Sequence, residues 1–168
     1  EIYNYKKLYH VIKSKFSWNG SSDTEVFLNA WSLWREKVFD KIDGMFAIAI
    51  WDTVHKKLVL ARDRVGEKPL YYYKNEESII FSSRPKSILS VKPKIKYNYD
   101  LENLNFYLNS GFFLREKSFF SEIKKLEPGT FLSIDYKQFK LKKYWDLNSF
   151  YPNKINDNSI NYNVDKCE

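Results

Sequence analysis

Residues 45–51 read M-F-A-I-A-I-W, seven positions without one polar side chain. A strand with one wet face alternates, so a run apolar on both sides predicts a central strand covered by layers on each face. It is also far short of the roughly 20 apolar residues that span a bilayer. A polar turn at 52–57 follows, and 58–61, 70–73 and 79–81 then read as further short strands. Turn chemistry such as Val65-Gly66 and Asn75-Glu76 separates them. Short strands with tight connections predict an antiparallel meander.

Helical spacing flanks this run on the N-terminal side. Leu8, Val11 and Ile12 mark a short amphipathic helix within 5–16, ended by a turn at 18–21. Ser22 followed by Glu25 is a capping-box signature, and Phe27, Ala30, Trp31, Trp34 and Val38 predict a helix over 23–39. Further on, 84–89 suits one or two helical turns, and 100–110 a helix capped by Asp100 and stopped at Gly111. A Pro128-Gly129 turn leads into a closing hairpin, 130–134 with 139–145. Helices, a run of strands, then a helix and a hairpin predict an α+β layered domain. After Asp146 the chain turns rich in asparagine, which predicts a domain over 1–147 and a linker over 148–168 toward a following domain.

Composition closes off several functions. With 168 residues and 43% hydrophobic content, this is a globular chain of one domain rather than a disordered one. The net charge of +7 comes mainly from lysine. The clusters at 92–96 and 137–143 lack a nucleic-acid motif or an aromatic stacking platform, so no nucleic-acid or membrane partner is expected. Cys167 stands alone near the end, excluding an intrachain disulfide or a cysteine metal site and suiting a reducing compartment. The five glycines are scattered and form no phosphate loop. His10 and His55 read as surface residues, without neighbouring carboxylates that would make a metal site. Asp23 falls in the first turn of the capped helix, where the helix dipole contributes about 0.3–1 kcal/mol toward keeping it ionised. Between two strands, Arg62, Asp63 and Arg64 predict a local charge network that fixes a turn.

Several strings, taken together, resemble one family. They are E-I-Y-N-Y at 1–5, S-D-T-E-V at 22–26, D-G-M-F-A-I-A-I-W-D at 43–52 and A-R-D-R-V-G-E-K-P-L-Y-Y at 61–72. S-S-R-P-K-S-I-L at 82–89, L-E-P-G-T at 126–130 and Y-W-D at 144–146 continue in the same order. The combination resembles the N-terminal glutaminase domain of glutamine-hydrolysing asparagine synthetases, a class II glutamine amidotransferase. The resemblance implies a four-layer αββα sandwich of antiparallel sheets, of the N-terminal-nucleophile hydrolase type, incomplete at its N-terminus. In that family a mature N-terminal cysteine attacks the glutamine carboxamide, with its own amino group as base, and a thioester is formed and hydrolysed.

By this resemblance Glu1 and Asp23 hold the substrate glutamine through its α-ammonium group. Arg62, Asp63, Arg64, Gly66, Lys68 and Pro69 belong to the family's structural motif. The nucleophilic cysteine, the arginine that grips the substrate carboxylate and the Asn-Gly oxyanion pair have no counterpart in 1–168, so no catalytic residue is assigned and the chain as it stands is expected to be inactive. No cofactor or metal is expected here. ATP and magnesium would serve a following synthetase domain, which amidates aspartate. A cytoplasmic location is implied, and a homodimer is left open. Two other readings stand beside this one: another class II amidotransferase, of the glucosamine-6-phosphate synthase type or acting in secondary or polysaccharide metabolism, and a non-catalytic scaffold of the same descent.

Overall fold

The computed structural model describes residues 1–91, 98–113 and 116–150. The lysine cluster at 92–96, Cys167 and most of the expected linker lie outside the described residues. The helices are α1 (Tyr5–Ile12), α2 (Asp23–Trp34), α3 (Pro85–Val91) and α4 (Leu101–Ser110). The strands are β1 (Ala47–Asp52), β2 (Lys57–Arg62), β3 (Tyr71–Lys74), β4 (Ile79–Ser82), β5 (Lys124–Lys125), β6 (Thr130–Ile134) and β7 (Phe139–Lys143). All pairings are antiparallel, in two sheets ordered β1-β2-β6-β7 and β4-β3-β5.

Alternation along the strands builds the layers. Val59 and Ala61 of β2 turn toward α1 and α2, where they meet Ile12, Val26, Ala30 and Phe39. Leu60, between them, turns the other way and packs with Leu132, Leu70, Tyr72 and Leu126 between the two sheets. On the far side of the second sheet, Tyr71, Tyr73 and Ile80 cover Ile88 and Leu89 of α3 together with Ile123. Three apolar cores thus separate four layers in the order helix, sheet, sheet, helix. This is the αββα sandwich that the resemblance implies.

Local signals hold at several ends. Ser22 Oγ accepts from Glu25 N at 3.2 Å to cap α2. The Glu25 carboxylate reaches back to Asn19 N and Gly20 N, each at 2.8 Å, so the box closes over the preceding turn. Asp100 caps α4 by accepting from Asn103 N, and Gly111 ends it in the left-handed conformation at φ 79°.

Four expectations need correction. The run at 45–51 is not a central strand: β1 is an edge of its sheet, Trp51 is 58% exposed, and β2 is the strand covered on both faces. The free edge of β1 borders an open cleft, and sequence pattern cannot distinguish a strand enclosed in its sheet from one at a cleft's edge. The strands are not one meander, because the connection after β2 crosses from the first sheet to the second. The helix over 23–39 stops at Trp34, where Arg35 takes a left-handed φ of 50°, and a 3-10 turn over Arg35–Val38 follows. Arg62, Asp63 and Arg64 do not bond one another; as shown below, each grips backbone or another residue. The two-residue β5 carries no periodic signal at all.

The break at Arg35 has a cause in β1. Arg35 Nη1 lies 2.7 Å from Asp52 Oδ2. Asp52 also accepts from Val54 N and His55 N, and His55 Nδ1 lies 3.0 Å from its Oδ2. His55 is at the surface as expected, but tied down. Burial pushes the Asp52 carboxyl upward, yet the His55 hydrogen bonds and the Arg35 charge outweigh this and hold it below its ordinary 3.8. Stability from this cluster is complete above the unfolded value of 3.8 and is lost as pH falls through the lower folded value. Thermal melts should show Asp52→Asn well below wild type at neutral pH, with the gap closing as pH falls below the ordinary carboxylate value.

The β1–β2 turn contains the second non-glycine left-handed residue, Lys56 at φ 50°. A side chain there costs about 1 kcal/mol relative to glycine. Lys56 is exposed, so Lys56→Gly should raise the denaturant midpoint by an amount corresponding to about 0.5–1 kcal/mol.

Candidate functional site

The first four residues lie along 41–45 like a short added strand. Glu1 N donates to Met45 O at 2.8 Å and Met45 N to Glu1 O at 3.1 Å, an antiparallel exchange continued by Tyr3 N on Asp43 O at 2.7 Å. Asn4 completes it, donating to Lys41 O and accepting from Asp43 N. Gly44 faces Ile2 across this pairing, and a Cβ there would lie 2.2 Å from Glu1 O. Only glycine allows the approach.

Asp23 meets this segment from α2. Its Oδ2 accepts from Ile2 N at 2.9 Å, which places the helix start beside Glu1. The hydrogen bond from Ile2 holds the Asp23 carboxyl below its ordinary value, and so does the bond from Thr24 N, against a smaller upward push from burial. The carboxylate is therefore charged at neutral pH, half-buried, and retains free lone pairs.

A cavity of about 650 Å³ opens between these residues and the edge of β1. That volume falls in the range of small-molecule sites, about 300–1,000 Å³. Its lining includes Glu1, Asp23, Thr24 and Leu28, residues 45–51, and Lys68, Pro69 and Ser83. Two carboxylates and one ammonium are thus presented to one space.

The loop behind Lys68 is built by buried charges. Arg62 Nε donates to Lys68 O and Nη1 to Leu126 O, each at 2.8 Å, and Nη2 to Gly66 O at 2.5 Å. Asp63, fully buried, accepts from Glu67 N at 2.9 Å, Lys68 N at 2.9 Å and Phe46 N at 3.3 Å. Arg64 leaves the loop to pair with Asp43 at 2.7 Å, joining the strip that holds Glu1 to the same loop. Gly66 takes φ 75°, and a Cβ there would press on Arg62 and Pro128. Tyr144 OH donates to Arg62 O at 2.7 Å, and its hydroxyl pKa is pushed far up by burial.

The family model of the glutamine amidotransferase domain matches residues 1–145. The chain belongs to that family. This amidotransferase domain is 32% identical over 151 residues to asparagine synthetase [glutamine-hydrolyzing] 3 of Bacillus subtilis, covering 89% of the chain and 24% of the relative. It is 36% identical over 135 residues to asparagine synthetase [glutamine-hydrolyzing] 1 of the same organism, covering 80% and 21%. The chain thus spans about a quarter or less of the length of these relatives. Among solved structures it matches the glutamine phosphoribosylpyrophosphate amidotransferase from B. subtilis, with a TM-score of 0.55 at 18% identity, over 86% of this chain and 27% of that one. At that identity the likeness shows a shared fold.

Within this amidotransferase domain, the structure brings Glu1 and Asp23 to one cleft. Arg62, Asp63 and Gly66 build the loop that carries Lys68, Arg64 ties it to Asp43, and Lys68 and Pro69 line the cleft itself. Thr24, Leu28 and Ser83 also line it without any local pattern that marks them as site residues, and the apolar run at 45–51 borders it as well. Among the described residues, no group of three His, Cys, Asp or Glu side chains could hold a metal ion, and no helix is long and apolar enough to cross a membrane.

Proposed function

We propose that this domain binds glutamine in the cleft beside β1 and releases its amide nitrogen as ammonia, within a glutamine-hydrolysing asparagine synthetase. One observation carries the reading: the 2.9 Å bond from Ile2 N fixes Asp23 next to the segment that carries Glu1, so two acidic residues line one ligand-sized cleft. An amino acid's α-ammonium group is the cation such a pair would take. Glu1 and Asp23 would orient the substrate so that its carboxamide extends along the cleft. A cysteine supplied ahead of Glu1 would attack that carboxamide, expel ammonia and form a thioester, which water then hydrolyses to glutamate.

The domain would occupy 1–147, with 148–168 leading toward a synthetase domain that consumes the ammonia in amidating aspartate. ATP and magnesium belong to that second domain in this reading. A cytoplasmic enzyme needing no cofactor for the glutaminase step fits the same reading.

The test is glutamate release from glutamine by the full-length protein extended to its native start. Replacing the first cysteine with alanine should abolish release. Activity that survives the replacement overturns the mechanism.

A further inference from the structure

A buried carboxylate is unfavourable unless it is fully hydrogen-bonded, and uncharged Asn or Ser can also hold turns. Asp63 is completely buried, and the contacts of its Oδ2 show what the charge achieves. That single atom accepts from Phe46 N at 3.3 Å and from Lys68 N at 2.9 Å. Both residues line the cleft, one in the apolar run at 45–51 and one on the loop that follows β2. Phe46 is bound a second time, because Asp63 N donates to Phe46 O at 3.0 Å. Phe46 directly follows Met45, whose backbone exchanges both hydrogen bonds with Glu1. Glu67 N on Oδ1 and Arg62 Nε on Lys68 O then leave the loop little freedom to drift. Lys68 and Pro69 are themselves exposed, so this buried scaffold presents a solvent-facing segment.

We propose that Asp63 is a positioning residue for the glutamine cleft, setting the distance between the segment that carries Glu1 and the segment that carries Lys68 and Pro69. This rests on the cleft being the glutamine site. Asparagine in its place keeps the volume but turns one acceptor into a donor that faces backbone N–H groups. The two segments would then separate, and the cleft would hold its substrate less tightly, which shows as a raised KM.

The experiment uses the full-length protein and four variants: Asp63→Asn, Pro69→Gly, the two combined, and Val59→Ala. Val59, buried in the core between the first sheet and the helices, is not itself part of the cleft lining and serves as a control for loss of stability. Asp63→Asn is expected to raise the KM for glutamine about tenfold or more, with a smaller change in kcat and no change in synthesis from free ammonia. Pro69→Gly, at an exposed site, should raise KM in the same direction and remains informative should Asp63→Asn fold poorly. Because both act on one loop, their effects on KM should combine less than additively. The proposal is overturned if Pro69→Gly leaves KM unchanged, if the two effects add, or if Val59→Ala raises KM as much as Asp63→Asn. Failure of the glutamine reading itself shows separately, as an unmodified enzyme that releases no glutamate or an Asp23→Asn variant with unchanged kinetics.

Discussion

Replacing Asp23 with asparagine in the full-length protein is expected to lower kcat/KM for glutamine about 100-fold, while synthesis from free ammonia continues at the wild-type rate. Hydrogen bonds to charged groups contribute about 1.5–3 kcal/mol, and about 1.4 kcal/mol is a factor of ten. Asparagine keeps an oxygen acceptor for Ile2 N, so the strip at 1–4 stays docked and the fold is little disturbed. What disappears is the charge. Because the Ile2 hydrogen bond keeps the Asp23 carboxyl below its ordinary range, it stays ionised through neutral and mildly acidic pH. Glutamine use should therefore show no acidic limb from this residue above about pH 5. Parallel kinetics with glutamine and with ammonia decide the matter: equal loss of both would assign Asp23 to folding.

Gly44→Ala should have the largest effect on stability and on the site together. The new methyl would stand 2.2 Å from Glu1 O and 2.9 Å from Ile2 Cα, and both are backbone atoms that no rotamer change can move aside. The φ of 157° at this position adds strain for any side chain. Relief requires the strip at 1–4 to lift from 41–45, which breaks the Glu1–Met45 exchange and the Tyr3–Asp43 bond and carries Ile2 N away from Asp23. A loss of about 3 kcal/mol is expected. For a domain of this size that lowers Tm by about 6–12 °C. Glutamine hydrolysis should be lost even at temperatures where the variant remains folded. A variant that melts normally and hydrolyses glutamine would show that Glu1 need not be held against Met45.

Local chemistry was legible wherever neighbouring residues settle it. Ser22 with Glu25, and Asp100 with Gly111, mark helix ends because a cap needs only a few consecutive residues. Assignment to layers was not legible, since it depends on partners far away in sequence. The run at 45–51 and the run at 58–61 look alike as strings, yet β2 is enclosed and β1 borders the cleft. Arg35 interrupts a helical spacing that continues to Val38 because Asp52, on a strand 17 residues later, draws its guanidinium. Glu1 and Asp23 were singled out through the resemblance, and Asp23 alone had a physical reason to be charged. Lys68 gave no hint of facing the same cleft, since only the fold around Asp63 turns it there.

The hydroxyl of Tyr144 closes on the carbonyl of Arg62 across 82 residues of chain. Gly129, whose nitrogen bonds Asp63 O, likewise accepts from Tyr144 N and Trp145 N. During synthesis, then, the loop that faces the cleft is made long before the Tyr144–Trp145 segment that fastens it has left the ribosome. That loop is fastened only when Tyr144 and Trp145, just past β7, have emerged and docked, so a nascent chain carries Glu1 and Asp23 well before the loop across Arg62 and Gly129 is secured.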